Sequence, residues 1–230
     1  MTRIKLCGLR RPIDAEIANA CLPDYIGFVF AASPRRVSSS EATEIAINLN
    51  PGIRKVGVFV GTEPKEVAGI VDSVGLDVVQ LHFDTTPEYN ERLRRALPKS
   101  SDRKIEVWQR IAVPLEATEA SDVLERIIGY PPVESFDALV FDVITDKRDG
   151  GSGIPFPWKA GMAAAKVLRV MNSRIIIAGG IGPRNVRQAI EYFSPFAVDV
   201  SGSVETDGYK DRDKVAELIR AVRGGVSEHE

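Results

Sequence analysis

The sequence has few cysteines, no long apolar run and little net charge, and each absence excludes a class of protein. Two cysteines among 230 residues, Cys7 and Cys21, are too few for a disulfide framework, so we expect reduced thiols in the cytoplasm. No segment approaches the roughly eighteen apolar residues of a membrane-spanning helix, and the first residues lack a signal-peptide core. A formal net charge of −2 offers no field for a nucleic-acid partner.

The apolar residues that are present repeat one pattern, a buried strand followed by an amphipathic helix. Residues 25–30 and 55–60 are examples of such strands, because each is an almost unbroken apolar run that ends at a polar turn. The pattern occurs eight times in 230 residues, a density that favours a closed barrel over a doubly wound sheet. We therefore predict an α/β fold with one domain over residues 1–230, a (β/α)8 TIM barrel with a polar tail after about residue 224.

Two helices show how the apolar positions predict buried faces. The seventh helix is expected to have Pro183 at its first position and to bury a set spaced i, i+3, i+4, i+7, namely Val186, Ala189, Ile190 and Phe193. The first helix is expected to bury Ile13, Ile17, Ala20 and Cys21. The fifth helix, near residues 117–128, is less regular.

In a barrel of this type, reactive groups lie at the C-terminal ends of the strands. The residues that the sequence places there are Cys7, Arg35, His82, Asp142, Gly179, Gly180, Asp199 and Ser201. The seventh strand ends in a Gly-Gly pair and the eighth in the turn Ser201-Gly202-Ser203. A glycine pair alone is explained by a tight turn, but two neighbouring strand ends with bare backbone N–H groups favour a phosphate site.

Cys7 and Asp142 are the candidates for proton transfer. A single free cysteine is usually a small core residue, but Cys7 ends a barrel strand, where Lys5 or backbone dipoles would lower the pKa of its thiol. Asp142 ends an otherwise apolar strand, and a carboxylate there needs either a partner or a catalytic role. The sequence therefore predicts a base or nucleophile at Cys7 and an acid at Asp142.

Three further positions have roles that the sequence leaves open. His82 either bonds a neighbouring loop or takes part in the chemistry. Arg35 and Arg36 follow the second strand, and one of the two is expected to hold a substrate carboxylate. Asp199 either accepts a hydrogen bond from a substrate hydroxyl or amine, or bonds loop amides.

Taken together, these motifs resemble the phosphoribosylanthranilate isomerases of tryptophan biosynthesis from residue 3 to about residue 220. The matching segments are Lys5-Leu-Cys-Gly-Leu9, Gly27 to Phe30 with Ser33-Pro-Arg35, Val56 to Phe59, Val79 to His82, Phe141-Asp142 with Gly150 to Gly153, Ala178 to Ile181, and Val198 to Ser201. Three departures from the family pattern are Phe83 where glycine is usual, Pro157 where aspartate is usual, and the order Ser201-Gly202-Ser203 in place of Ser-Ser-Gly.

The resemblance implies an Amadori rearrangement without a cofactor or metal, in which N-(5-phosphoribosyl)anthranilate becomes 1-(2-carboxyphenylamino)-1-deoxyribulose 5-phosphate. It also implies that Cys7 is the general base and Asp142 the general acid. Arg35 would contact the anthranilate carboxylate, and the region around Gly179 and Ser201 would hold the phosphate. A monomer is the default expectation.

Two alternative functions follow from the same features. One is the related barrel isomerase of histidine biosynthesis, which would carry aspartate in place of Cys7 and a second phosphate site in the first half of the barrel. The other is a catalytically silent phosphate-binding barrel, against which an intact Cys7 and Asp142 argue.

Overall fold

Eight parallel strands close into a barrel surrounded by helices, in a computed structural model that describes residues 1–99, 104–114, 116–128, 130–144, 158–171 and 173–224. The strands pair in chain order, and β1 pairs with β8 to close the ring. Their bounds are β1 Arg3–Cys7, β2 Tyr25–Val29, β3 Arg54–Phe59, β4 Val78–Leu81, β5 Glu106–Pro114, β6 Ala138–Ile144, β7 Ile175–Ile177 and β8 Ala197–Val200. The predicted (β/α)8 barrel is confirmed.

One helix follows each strand. The helices are α1 Pro12–Cys21, α2 Ser39–Ala46, α3 Pro64–Val74, α4 Pro87–Ala96, α5 Ala120–Leu124, α6 Trp158–Val170, α7 Val186–Phe193 and α8 Arg212–Arg223. Within the described ranges, no helix is long and apolar enough to cross a membrane. The glycine-rich segment 150–153, Pro157 and the tail 225–230 lie outside the described residues.

The barrel interior is filled by a cluster made almost entirely of strand residues. Tyr25 and Trp108 are its largest members, and their rings meet edge to face with centroids 5.0 Å apart. A second, larger cluster joins the outward-facing strand residues to the helices. Because successive side chains on a strand point to opposite faces, the near-continuous apolar strands serve both clusters at once.

Polar groups close the end of the barrel at which the strands begin. Glu106, the first residue of β5, accepts hydrogen bonds from Nη1 of Arg54 at 2.8 Å and from the indole Nε1 of Trp108 at 2.9 Å. Arg174 lies 3.7 Å from the same carboxylate. Trp108 thus connects this polar end to the apolar interior. A cavity opens at the opposite end of the barrel.

The buried faces of the helices agree with the sequence in α7 and differ in α1. Val186, Ala189 and Phe193 are buried as predicted, with Ile190 packed against them. Asn185, however, is the N-cap of α7, so Pro183 lies before the helix and not at its first position. In α1 the predicted Ile17 is buried, but Ile13 is 45% exposed.

The inward face of α1 instead includes Ala15 and Ala18, small residues that allow the helix to lie close to the sheet. The irregular fifth helix is a five-residue helix, α5, followed by a 3₁₀ turn over Glu125–Ile127. After β8 the chain forms a hairpin that the repeating strand–helix pattern does not predict, with strands β9 Glu205–Thr206 and β10 Tyr209–Lys210.

We predict that Glu106→Gln lowers the free energy of unfolding by about 1–3 kcal/mol, because it weakens the acceptor shared by two arginines and an indole. Urea denaturation monitored by Trp fluorescence measures the change. Glu63→Gln is the control, since Glu63 pairs with Arg92 where both side chains are more than half exposed. Glu63→Gln should lower the free energy of unfolding by less than about 1 kcal/mol. Equal decreases in the two variants would contradict the stabilising role of Glu106.

Candidate active site

A cavity of about 350 Å³ opens at the C-terminal ends of the barrel strands. All nine residues that the sequence nominated for binding or catalysis line it: Cys7, Arg35, His82, Asp142, Gly179, Gly180, Asp199, Ser201 and Gly202. Arg36 is exposed and is not among the lining residues, so the geometry favours Arg35 of the two arginines. The cavity wall between β2 and β3 is apolar and includes Val29, Val58 and Val60.

Cys7 ends β1 beside a fully buried ion pair. Nζ of Lys5 lies 2.6 Å from Oδ2 of Asp199, and the two residues are register partners across the β1–β8 seam. Burial disfavours the charged form of Lys5, but Asp199 and Cys7 outweigh burial and raise the pKa of the ammonium. Lys5 is therefore a permanent cation beneath the cavity floor.

The pKa of the Cys7 thiol is raised, which is opposite to the direction expected from the sequence. Burial is the largest cause, because it disfavours the thiolate. Lys5 acts in the expected direction and lowers the pKa, and Lys210 does the same, but together they do not overcome burial and the negative charge of Asp199. The thiol is thus predominantly protonated when the cavity holds no ligand.

Glycine at position 27 is what allows Cys7 and Lys5 to lie side by side. A Cβ atom on residue 27 would come within 3.0 Å of Sγ of Cys7 and 3.2 Å of Cε of Lys5. Either side chain would have to move to admit a methyl group. The glycine of β2 thereby fixes the position of a thiol on the neighbouring strand.

His82 contacts Asp142 across the opening of the cavity. Nε2 of His82 lies 3.4 Å from Oδ2 of Asp142. Burial, together with the positive charges of Arg110 and Lys5, lowers the pKa of His82 to about 3. The imidazole is therefore neutral near pH 7, so its contact with Asp142 is not an ion pair.

Arg35 is held by the hairpin that follows β8. Glu205 accepts from Nε of Arg35 at 2.9 Å and from Nη2 at 2.7 Å, and it also accepts from Nζ of Lys210 at 2.6 Å. Although burial alone would raise the pKa of Glu205, the hydrogen bond from Arg35 and the charge of Lys210 lower it overall. One carboxylate thus bridges two basic side chains, of which Lys210 has a pKa lowered by burial.

The ends of β7 and β8 form the glycine-rich edge of the cavity. Gly179 and Gly180 have φ values of +79° and +68°, a conformation that other residues rarely adopt. Their backbone N–H groups find no acceptor within the described part of the chain. The hydroxyl of Ser201 donates to the carbonyl of Cys7 at 3.0 Å, and the hydroxyl of Ser203 donates to the carbonyl of Ile181 at 2.6 Å.

Glu205, Lys210 and Gln80 are polar residues in or beside the cavity that the strand-end pattern does not predict. Glu205 and Lys210 lie on the unpredicted hairpin, and no local pattern indicates that they reach Arg35. Gln80 did leave a signal, because it is a polar residue inside the apolar strand β4. Within the described ranges, no group of three or more His, Cys, Asp or Glu side chains could hold a metal ion.

The family model and the curated relatives of this chain agree on one family. A model described as N-(5′-phosphoribosyl)anthranilate isomerase matches residues 4–221. The isomerase of that name from Acetivibrio thermocellus is 40% identical over 98% of this chain and 99% of its own length. The crystal structure of phosphoribosyl anthranilate isomerase from Thermotoga maritima superposes with a TM-score of 0.79 and 32% identity, over 97% of this chain and all of that one.

A further solved structure is similar to this chain and contains a ligand. It is a phosphoribosyl anthranilate isomerase in complex with reduced 1-(o-carboxyphenylamino)-1-deoxyribulose 5-phosphate. Its TM-score is 0.75 at 29% identity, and the match covers 97% of this chain and all of that one.

We predict that Lys5→Met raises the pKa of the Cys7 thiol further, because the substitution removes a cation and leaves the charge of Asp199 unbalanced. The rate of alkylation by iodoacetamide as a function of pH measures this shift. The measurement uses the wild-type and the Lys5→Met proteins, each with Cys21→Ser, so that Cys7 is the only thiol. An unchanged profile would show that Lys5 does not stabilise the thiolate.

Proposed function

The chain belongs to the N-(5′-phosphoribosyl)anthranilate isomerase family, and from this premise we propose which of its residues carry the reaction. The activity is the isomerisation of N-(5′-phosphoribosyl)anthranilate in tryptophan biosynthesis. The reaction opens the ribose ring and moves a proton so that an aldose derivative becomes a ketose derivative. It requires one group that donates a proton and one that removes a proton.

One observation supports assigning these roles to Asp142 and Cys7. The two residues line the same cavity: Cys7 ends β1, and Asp142 lies two residues before the end of β6, three strands away around the barrel. A substrate that lies between them would present its reacting carbons to both groups at once. Among the described residues that line the cavity, Cys7 is the one cysteine, and Asp199, the carboxylate besides Asp142, is engaged by Lys5.

Asp142 is the general acid in this proposal. Its protonated carboxyl delivers a proton to the ring oxygen, the bond between C1′ and that oxygen breaks, and the anthranilate nitrogen forms a Schiff base with C1′. The carboxyl side chain is 21% exposed, and the phosphate dianion of the substrate would favour its protonated form. His82 orients the carboxyl through its neutral imidazole.

Cys7 is the general base. Its thiolate takes the proton from C2′ of the protonated Schiff base. The electrons of that C–H bond form the C1′–C2′ double bond while the π electrons of the C1′–N double bond return to nitrogen, and the resulting enolamine tautomerises to the ketone. Because the thiol pKa is raised, the thiolate is scarce but strongly basic. Lys5, directly below, supplies the positive charge that compensates for the thiolate as it forms.

The two ends of the substrate carry negative charge, and the proposal assigns each to one edge of the cavity. The phosphate binds the N–H groups at the ends of β7 and β8, including those of Gly179 and Gly180. The anthranilate carboxylate binds Arg35. Nε and Nη2 of that guanidinium also donate to Glu205, which fixes Arg35 at the edge of the cavity.

We also propose that the enzyme acts in the cytoplasm. Both cysteines are free thiols in the structure, as a reducing compartment requires.

The acid and base roles predict that Cys7→Ser and Asp142→Asn each lower kcat by about 10²- to 10⁴-fold, because each removes one proton-transfer group. The loss of substrate fluorescence measures turnover. Affinity for the reduced product should change little. Cys21→Ser is the matched control and should retain wild-type kcat. Near-normal kcat in Cys7→Ser would exclude Cys7 as the base, and a folded wild-type protein without turnover would favour the silent-barrel alternative.

The carboxylate role predicts that Arg35→Lys raises KM by about tenfold or more, since lysine cannot offer two parallel N–H groups. Steady-state kinetics on both variants of the Arg35-Arg36 pair test this. Arg36→Lys, in the exposed neighbour, should leave KM near the wild-type value. The reverse ranking would assign the carboxylate to Arg36.

A further inference from the structure

Gln80 is a buried polar residue that the mechanism above does not use. It lies on β4, its residue is 2% exposed, and it lines the cavity. No hydrogen-bond partner for its Oε1 exists within the described part of the chain. A buried amide oxygen without a partner is uncommon in proteins and calls for an explanation.

The neighbours of Gln80 on the sheet cannot satisfy this oxygen. Its register partners are Val58 on β3 and Trp108 on β5. Val58 has no polar side-chain atom, and the only side-chain donor of Trp108, its indole N–H, is already bonded to Glu106 at the other end of the barrel. The missing donor must therefore come from whatever occupies the cavity.

A second buried glutamine shows what a structural role looks like in this protein. Oε1 of Gln109 accepts from the hydroxyl of Thr85 at 2.6 Å, and its Nε2 donates to the backbone carbonyls of Phe83 and Arg110 at 2.8 and 2.9 Å. Gln109 is fully buried and all of its polar atoms are bonded within the protein. Gln80 differs because its amide faces the cavity.

If the proposed function holds, the chemistry of the ligand leaves one group as the hydrogen-bond donor to Oε1 of Gln80. Ionised phosphate and carboxylate only accept hydrogen bonds, and the anthranilate N–H donates within the ligand to the carboxylate ortho to it, so the donors available to Gln80 are sugar hydroxyls. The C2′ hydroxyl of the substrate becomes the ketone of the product, and the C4′ oxygen is part of the ring before the reaction. The C3′ hydroxyl is the one hydroxyl that substrate and product share.

We propose that Gln80 is a specificity-determining residue whose Oε1 accepts a hydrogen bond from the C3′ hydroxyl of the substrate. The contact holds the sugar chain at C3′ while C1′ and C2′ react between Cys7 and Asp142. It selects a ribose-derived chain over one that lacks this hydroxyl, because a deoxy ligand leaves the buried oxygen unpaired.

Calorimetric titration with two ligands tests the proposal. The ligands are the reduced product, 1-(2-carboxyphenylamino)-1-deoxyribulose 5-phosphate with its ketone reduced, and the same compound without the C3 hydroxyl. The wild-type enzyme should bind the deoxy ligand about tenfold more weakly. Gln80→Met should bind the hydroxylated ligand about tenfold more weakly than the wild-type enzyme does and the deoxy ligand equally well, so the variant no longer distinguishes the two ligands.

Two further variants separate a ligand contact from a structural effect. Gln80→Glu keeps an acceptor oxygen and should keep the preference. Gln109→Met removes the satisfied glutamine and should lower Tm without changing the ratio of the two Kd values. Equal affinity losses for both ligands in Gln80→Met, or no loss for the hydroxylated one, would overturn the proposal.

The wild-type measurements alone decide the matter if Gln80→Met does not fold. Equal binding of the two ligands by an enzyme that turns over its substrate would overturn the role of Gln80 and leave the isomerase function intact. A wild-type protein that neither turns over the substrate nor binds the reduced product would instead refute the proposed function.

Discussion

The buried ion pair between Lys5 and Asp199 connects the closure of the barrel to its chemistry. The two residues face each other where the first and last strands meet, so the charge of each is compensated only when the ring is closed. Two residues further along the chain from each lie Cys7 and Ser201, which are joined by a hydrogen bond from the serine hydroxyl to the cysteine carbonyl. The Cys7 thiol and one edge of the glycine-rich cavity rim are therefore fixed by the same seam.

The interior of the barrel separates this seam from the solvent at the opposite end. Tyr25 and Trp108 fill the middle of the ring, and Glu106 with its arginine partners closes the end where the strands begin. A cation such as Lys5 is stable above this apolar layer only because a carboxylate lies 2.6 Å away. The apolar layer also keeps water from reaching the reacting groups from below, which strengthens their electrostatic coupling.

Most of the fold and of the site follows from the sequence because both depend on local patterns. Strand and helix alternation predicts the ring, and the end of each strand predicts which residues line the cavity. The errors occur where tertiary contacts decide. Ile13 is apolar yet exposed, because the close packing of α1 on the sheet selects the face that contains Ala15 and Ala18.

The pKa of Cys7 is a second case that no local pattern could give. Lys5 is visible two residues before it, but the extent of burial that outweighs Lys5 depends on the whole ring.

The contact between Arg35 and Glu205 joins residues 170 positions apart, and the hairpin that carries Glu205 has no counterpart in a repeating strand–helix pattern. That separation has a consequence for synthesis on the ribosome. At roughly 5–20 residues per second, the ribosome adds Glu205 about 10–30 seconds after Arg35. The site therefore cannot form during translation before almost the entire chain exists.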